Sequence, residues 1–323
     1  MTLSYGICLD GSEPPATALA LARIADEAGA TTAWVASHLF QREPVATAAM
    51  ILAAAPTLGV ALMAMSPYVV HPLYATMAAA TLHEHHPGRV TLCFGAGAPR
   101  DLEAAGIVAE NPLATVREAI ALARALLGGE QVQFEGRHYR VSGRRLAGGA
   151  SDIPIFLAAS GPRMLELAGA AADGVVISAA TSPQFIRASL DHVREGERMS
   201  GRAVRKTVLV YVSADSDGAS ARNRLRRTLG FILRGQHHGR NLELAGTRLD
   251  QGALARAYAR EDWEAVEALI TDDVLANHAA SGTVDDVRVA LAAYHNTGID
   301  EIVASGPADP GHLASALAAL RGT

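Results

Sequence analysis

Residues 5–36 read YGICLDGSEPPATALALARIADEAGATTAWVA, and the reading of this stretch decides the fold. Tyr5 to Leu9 is a short apolar run of strand length. From Pro14 to Ala28 apolar residues recur at helical spacing, and Gly29 supplies the stop. Thr32 to Ala36 is a second strand-length run. A strand, a helix and a strand in so short a span predict a parallel β-α-β unit.

The same alternation continues along the chain. Helices are expected over Val45 to Ala55 and Leu73 to His85, and strands over Leu58 to Ala64 and Val90 to Gly95. Asn111 is expected to cap a long amphipathic helix ending at Leu127. Val132 to Val141 predicts a small hairpin turning at Glu135-Gly136, outside the repeat. Strands five to seven then fall at Ile153 to Ala158, Gly174 to Ser178 and Thr207 to Ser213. Helices are expected over Arg163 to Ala172, Pro183 to Met199 and Ala219 to Leu233. Ile299 to Ala304 gives strand eight, and His312 to Leu320 a closing helix. Eight alternating strands favour a closed (β/α)8 barrel over an open doubly wound sheet. Residues 235–282 fit no repeat and predict an insertion with helices at Gln251 to Arg260 and Trp263 to Leu275. No low-complexity linker divides the chain, so residues 1–323 are expected to form a single domain.

Composition limits the function. At 323 residues the chain suffices for one barrel of about 250 residues carrying insertions. Half the residues are hydrophobic and 19% are charged, which excludes disorder as the dominant state. The net charge of −5 provides no footprint for nucleic acid or an anionic membrane, so the expected partner is a small molecule. Pro56 and Gly59 interrupt the apolar runs near residues 45–64, and no membrane span is expected. Two cysteines, Cys8 and Cys93, cannot make a disulfide framework, and the start MTLSYGICLD lacks a leader pattern. A reducing cytoplasm is the expected location.

Barrel chemistry sits at the carboxyl ends of the strands, which selects the candidates. They are Cys8 and Asp10, then Ser37 and His38, then Met65, Ser66 and Tyr68, then Gly95 and Gly97, then Ala159, Ser160 and Gly161, then Ser178, Ser213, and Ser305 with Gly306. The sharpest signal is Ala158-Ala159-Ser160-Gly161-Pro162-Arg163-Met164, where a strand gives way to a helix with proline in its first turn. Such a start offers free N–H groups to an anion such as a cofactor phosphate, with Ser160 adding a hydroxyl and Arg163 a charge. The same residues would also serve as the punctuation of an ordinary turn. His38 can donate, accept or shuttle a proton near neutral pH, or serve as a structural histidine. The run His83-Glu84-His85-His86 falls at the opposite end of the barrel and lacks the two-His spacing of a zincin helix, so no metal is expected. Arg222, Arg224, Arg226, Arg227 and Arg234 predict a solvated helix face held in salt bridges, or one that meets an acidic cofactor tail if it reaches the rim.

Together these residues resemble the luciferase-like flavin and deazaflavin oxidoreductases, most closely the methylenetetrahydromethanopterin reductase branch, which uses coenzyme F420. The resemblance runs along nearly the whole chain. Its markers are Ala33-Trp34-Val35-Ala36-Ser37-His38, Ser66-Pro67-Tyr68-Val69-Val70-His71-Pro72, Gly88-Arg89-Val90 leading to Gly95-Ala96-Gly97, and Gly161-Pro162-Arg163-Met164-Leu165. It implies a barrel that is usually a homodimer, with the deazaflavin ring over the strand ends and its phosphate at Ser160-Gly161-Pro162. It also implies a non-prolyl cis peptide behind the ring, which by position falls at Met63-Ala64, and a ring-proximal role for His38. The branch carries Glu, Asp and Asp where this chain has Cys8, Ser37 and Ala98, so pterin reduction itself is not expected. The implied activity is hydride transfer between F420 and a C=C, C=N or C=O bond, with His38 as proton donor and Tyr68 or Ser66 assisting. A two-component monooxygenase using FMN, and a catalytically idle cofactor-binding relative, are the alternatives.

Overall fold

The computed structural model of the protein describes residues 3–307 and 309–321. Its strands are β1 (Ser4–Leu9), β2 (Thr32–Ala36), β3 (Gly59–Met65), β4 (Val90–Phe94), β5 (Val132–Glu135), β6 (Arg140–Arg144), β7 (Ile155–Ala158), β8 (Gly174–Ile177), β9 (Arg205–Ala214), β10 (Ala280–Gly282) and β11 (Glu301–Ser305). Nine of them form one sheet in the order β10-β9-β11-β1-β2-β3-β4-β7-β8, and β9 also pairs with β8. The order therefore returns on itself, and helices follow the strands: this is a (β/α)8 barrel. The strands are nearly continuous apolar runs, as expected where helices cover one face of a parallel sheet and packed side chains the other.

Two compact units can be distinguished within the chain. One comprises Cys8–Val176 and Asp191–Arg205. Here β2 runs parallel to β3, β3 to β4, β4 to β7 and β7 to β8. Trp34, 1% exposed, packs against Phe156 with ring centroids 5.6 Å apart and anchors this core. At the amino ends of the strands Arg89 donates to the carbonyls of Leu52, Ala55 and Leu58, so one guanidinium satisfies acceptors left over where helix Pro44–Ala54 ends.

The other unit comprises the described residues up to Ile7, Ile177–Leu190 and the described residues from Lys206 onward. Helix Gly218–Leu233 presents Leu225, Leu229 and Leu233 at four-residue spacing, and these pack with Leu254, Val266, Ile270 and Val274 of the inserted segment. The insertion is more finely divided than its sequence predicts. Trp263–Leu269 and Asp272–His278 are separate helices because Thr271 caps a fresh start, accepting from the Val274 N–H at 3.4 Å. The short helix Gly239–Ala245 and the longer helix Val284–His295 were not foreseen, nor was β10, which adds a parallel strand beside β9.

Two further local expectations are corrected. Asn111 sits at the start of helix Pro112–Leu127 but has φ 50° and makes no side-chain cap; the Thr115 hydroxyl bonds its carbonyl instead. The hairpin turns over residues 136–139, with the Gly136 N–H on the Tyr139 carbonyl at 2.9 Å, and its second strand extends to Arg144. Among the described residues no helix is long and apolar enough to cross a membrane.

Candidate active site

The carboxyl ends of β2, β3, β4 and β7 lie side by side, because Ala36 pairs with Met63, Met65 with Phe94 and Phe94 with Leu157. Between Leu62 and Met65 the β3–β4 register shifts, and the Met63–Ala64 peptide within this interval is cis, where the family resemblance places it. The Ser37 N–H donates to the Met63 carbonyl at 2.6 Å. Ser66, 5% exposed, donates from its hydroxyl to the Ala96 carbonyl at 3.1 Å and so ties the end of β3 to the end of β4. A second cis peptide, Ser178–Ala179, follows β8 and has no counterpart in the sequence reading.

The floor of this mouth is built of the smallest side chains. A Cβ on Gly95 would lie 2.8 Å from the Ala64 methyl and 3.4 Å from that of Ala158, so three neighbouring strand ends present almost bare backbone. Gly97 has φ +90°, and a Cβ there would meet the Ser66 hydroxyl at 3.0 Å. Met63 and Met65 are buried beside this surface, and Ala98, exposed, opens the short helix Pro99–Ala104.

Ser160, Gly161, Pro162 and Arg163 are all exposed where β7 gives way to helix Pro162–Ala171, a ten-residue helix with no side-chain cap at its start. Around a Cβ built on Gly161 there is open space. Just before, the Ala159 N–H is held by the Val176 carbonyl at 3.0 Å, which aims the turn. An uncapped helix start with room before it suits an anionic group.

His38 is exposed just beyond β2. Tyr68 is placed differently from a free proton donor: its hydroxyl donates to the Glu110 carbonyl and lies 3.2 Å from the Thr115 hydroxyl, so its one proton is committed to fixing the loop after β3. The Cys8 thiol is half-buried in β1, and Asp10, exposed, accepts from the Ser12 N–H at 2.8 Å. Sequence reasoning passed over Glu13 on the same loop. Burial, and then the negative charge of Asp10, push its carboxyl above its usual range although the N–H groups of Asp10 and Gly11 donate to it. An acid three residues from Asp10, directly after a predicted strand, was the available signal.

Among the other singled-out groups, His83 and the five arginines have structural partners. His83 lies 3.2 Å from Asp152. Arg224 pairs with Asp215 at 2.9 Å, Arg222 and Arg226 with Asp272, and Arg227 with Glu267, while Arg234 stacks over Phe231 and Tyr258.

A parallel barrel whose strand ends expose bare backbone beside an uncapped helix start belongs to the class of barrels with room for an anionic group at the carboxyl mouth. The chain belongs to the luciferase-like monooxygenase family, whose profile matches residues 3–301. It is 29% identical over 297 residues to the 5,10-methylenetetrahydromethanopterin reductase of Archaeoglobus fulgidus, covering 89% of both chains. It is likewise 29% identical over 315 residues to the enzyme of that name from Methanolobus tindarius, covering 95% of both. The solved coenzyme F420 dependent tetrahydromethanopterin reductase of Methanopyrus kandleri superposes with a TM-score of 0.91 at 22% identity, covering 99% of this chain and 98% of the other.

Proposed function

We propose that the protein is an F420-dependent oxidoreductase that moves hydride between the deazaflavin and a small organic substrate bearing a C=C, C=N or C=O bond. The observation that carries the reading is the pairing of a side-chain-free floor at Gly95, Ala64 and Ala158 with open space before the helix at Gly161. Relatives matched over nearly their whole length are named 5,10-methylenetetrahydromethanopterin reductases, and the solved reductase is described as coenzyme F420 dependent, which supports it. Ser37, Met63, Ala64, Met65, Ser66, Gly95 and Gly97 would hold the ring, and Ala159, Ser160, Gly161, Pro162 and Arg163 the phosphate. A deazaflavin, when bound, supplies a hydride donor or acceptor at carbon.

The chain's own residues supply the remainder. Bare backbone lets a flat ring approach the strand ends, and the Ser66 bond to Ala96 keeps those ends in register. His38, reachable from solvent, holds or releases a proton at an imidazole nitrogen. Cys8, Asp10 and Ala98 would shape the substrate side of the mouth. The chain would act as one barrel domain carrying the 235–282 insertion, in a reducing cytoplasm. Helix Pro44–Ala54 leaves Met50 exposed and helix Pro72–His85 leaves Tyr74 and Met77 exposed, apolar side chains that a second copy would cover in a homodimer.

The test is titration of the purified protein with F420 and with FMN, followed by turnover. F420 bound more tightly than FMN, with His38→Ala losing at least about tenfold in turnover and little affinity, is the expected result. Tight FMN binding without F420 binding would replace the reading by the monooxygenase. Binding without turnover across a broad acceptor panel would leave the idle relative.

A further inference from the structure

The loop between β2 and helix Pro44–Ala54 holds Phe40 in an unusual state. Its φ is 66°, in the left-handed region where a bulky side chain is crowded and rarely found. The residue is nevertheless 72% exposed, the most of any aromatic residue among the large exposed hydrophobics of the described chain. The backbone is held in an unfavoured conformation, and little burial of the ring offsets that within the fold.

The loop is fastened on both sides of this residue. The Arg42 guanidinium donates to the carbonyls of Gly11 at 3.1 Å and Ser12 at 2.6 Å, and the Arg42 N–H reaches the Gly11 carbonyl at 3.3 Å. A Cβ on Gly11 would lie 3.0 Å from the Gln41 Cβ, so the loops after β1 and β2 are packed together here. The Gln41 N–H turns back to the His38 carbonyl at 3.3 Å, and the Ser37 N–H is bound by Met63 at 2.6 Å. Phe40 is thus an exposed aromatic group presented on a tethered turn, two residues past His38 and continuous with the strand ends described above.

We propose that Phe40 is a binding residue of this mouth, whose ring packs against a bound flat aromatic ligand and screens it from water. This rests on the cofactor reading given above. Stacking on a planar heterocycle recovers the apolar contact that the fold denies the side chain, and a tethered turn loses little freedom on binding.

The test compares the wild-type protein with Phe40→Gly and Phe40→Leu. Glycine adopts φ 66° freely, so apo Phe40→Gly is expected to melt at the same temperature as wild type or higher, with an unchanged solution mass. Its dissociation constant for F420, followed by the coenzyme's own fluorescence, should rise about five- to tenfold. Iodide quenching of the bound coenzyme should increase at least about twofold, since the proposed screen from water is lost. Phe40→Leu, which keeps bulk without a flat face, should fall between the two. The same measurements apply with FMN if that is the group bound.

A Phe40→Gly protein that melts several degrees lower with unchanged affinity would make the residue structural and overturn the proposal. Unchanged affinity and quenching with an unchanged melting temperature would overturn it too. A loss of dimer mass would assign the ring to a second copy of the chain and overturn it likewise. Wild-type protein that binds neither F420 nor FMN would remove the cofactor reading itself, an outcome distinct from all of these.

Discussion

The Tyr139 hydroxyl, at the end of the turn between β5 and β6, donates to the Pro67 carbonyl at 3.2 Å across 72 residues of chain. The His71 ring meets Tyr139 edge-on with centroids 5.0 Å apart. Beneath the turn the Glu118 carboxylate accepts from the N–H groups of Arg137 at 2.9 Å and His138 at 2.8 Å. Burial, the largest single influence, would raise that carboxyl; the two donors, the His138 ring and the Tyr139 backbone together outweigh it and hold it below the usual range. The hairpin therefore braces the segment Ser66–His71 that leaves β3. Tyr139→Phe should cost about 1 kcal/mol of stability and weaken cofactor binding a fewfold. Thermal unfolding and a binding titration check this, and unchanged affinity would make the brace irrelevant to the mouth. Burial pushes the Tyr139 hydroxyl up to about 12, so the effect should not vary between pH 6 and 9.

Gly95 and Gly161 separate packing from ligand access. Gly95→Val must push aside the Ala64 methyl, and should lose about 1–3 kcal/mol of stability together with most cofactor affinity. Gly161→Val meets open space, so its stability should stay within about 1 kcal/mol of wild type while phosphate-dependent affinity falls. Comparing FMN with riboflavin isolates the phosphate contribution. Equal losses for the two ligands would move the anion site elsewhere.

Acid should weaken the fold through the inserted segment. His278 is fully buried, and burial holds its imidazole down to about 4, although its bond to the Ala180 carbonyl works the other way. Above pH 6.5 both folded and unfolded chains carry it neutral. As pH falls from 6.5 towards 4 only the unfolded chain takes up the proton, so stability declines by up to about 3 kcal/mol for this one group. His238, also held down to about 4 by burial first and then by His237 and His278, adds to the decline. His278→Gln should be less stable than wild type at pH 7 yet lose less on going to pH 5. Parallel melting curves against pH would contradict this assignment.

Arg89 offers the opposite control. Removing its guanidinium in Arg89→Ala leaves the Leu52, Ala55 and Leu58 carbonyls short of a donor and should cost about 2–3 kcal/mol. Because these groups lie at the amino ends of the strands, affinity for the coenzyme in the surviving folded protein should be unchanged.

The proposed dimer surface can be tested without any ligand. Met50→Glu combined with Met77→Glu should convert the species seen by light scattering to a monomer and leave its melting transition cooperative. An unchanged mass would place the partner surface elsewhere.

What the sequence reveals depends on how local the signal is. β2 was legible to the residue, because Ala33, Trp34 and Val35 are an unbroken buried run following Gly29. Helix Val284–His295 escaped, although Thr283 and Asp286 form a capping box whose spacing is visible in the chain. β10 could not be read: Ala280-Ser281-Gly282 has no strand-forming composition, and only pairing with β9 makes it one. At the site, Gly161-Pro162 and His38 were legible as a helix start and a titratable group. The engagement of Tyr68 with Glu110 was not, because it joins residues 42 positions apart. The cis bond at Met63–Ala64 has no local signature and entered only through family resemblance.

Asn241 and His278 converge on the loop after β8. The Asn241 amide donates to the Ala180 carbonyl at 2.8 Å and accepts from the Ser182 N–H at 2.9 Å. His278 gives its Nδ1 proton to the same carbonyl at 3.0 Å and receives the Thr247 hydroxyl at Nε2, 2.8 Å away. One tautomer and one amide orientation satisfy all of these bonds together. Residues 235–282 are thus not an appendage that engineers or evolution can shorten at will. A chimera that borrowed another barrel's crossover here would have to bring replacements for both side chains, or redesign the Ser178–Ser182 turn to stand unsupported.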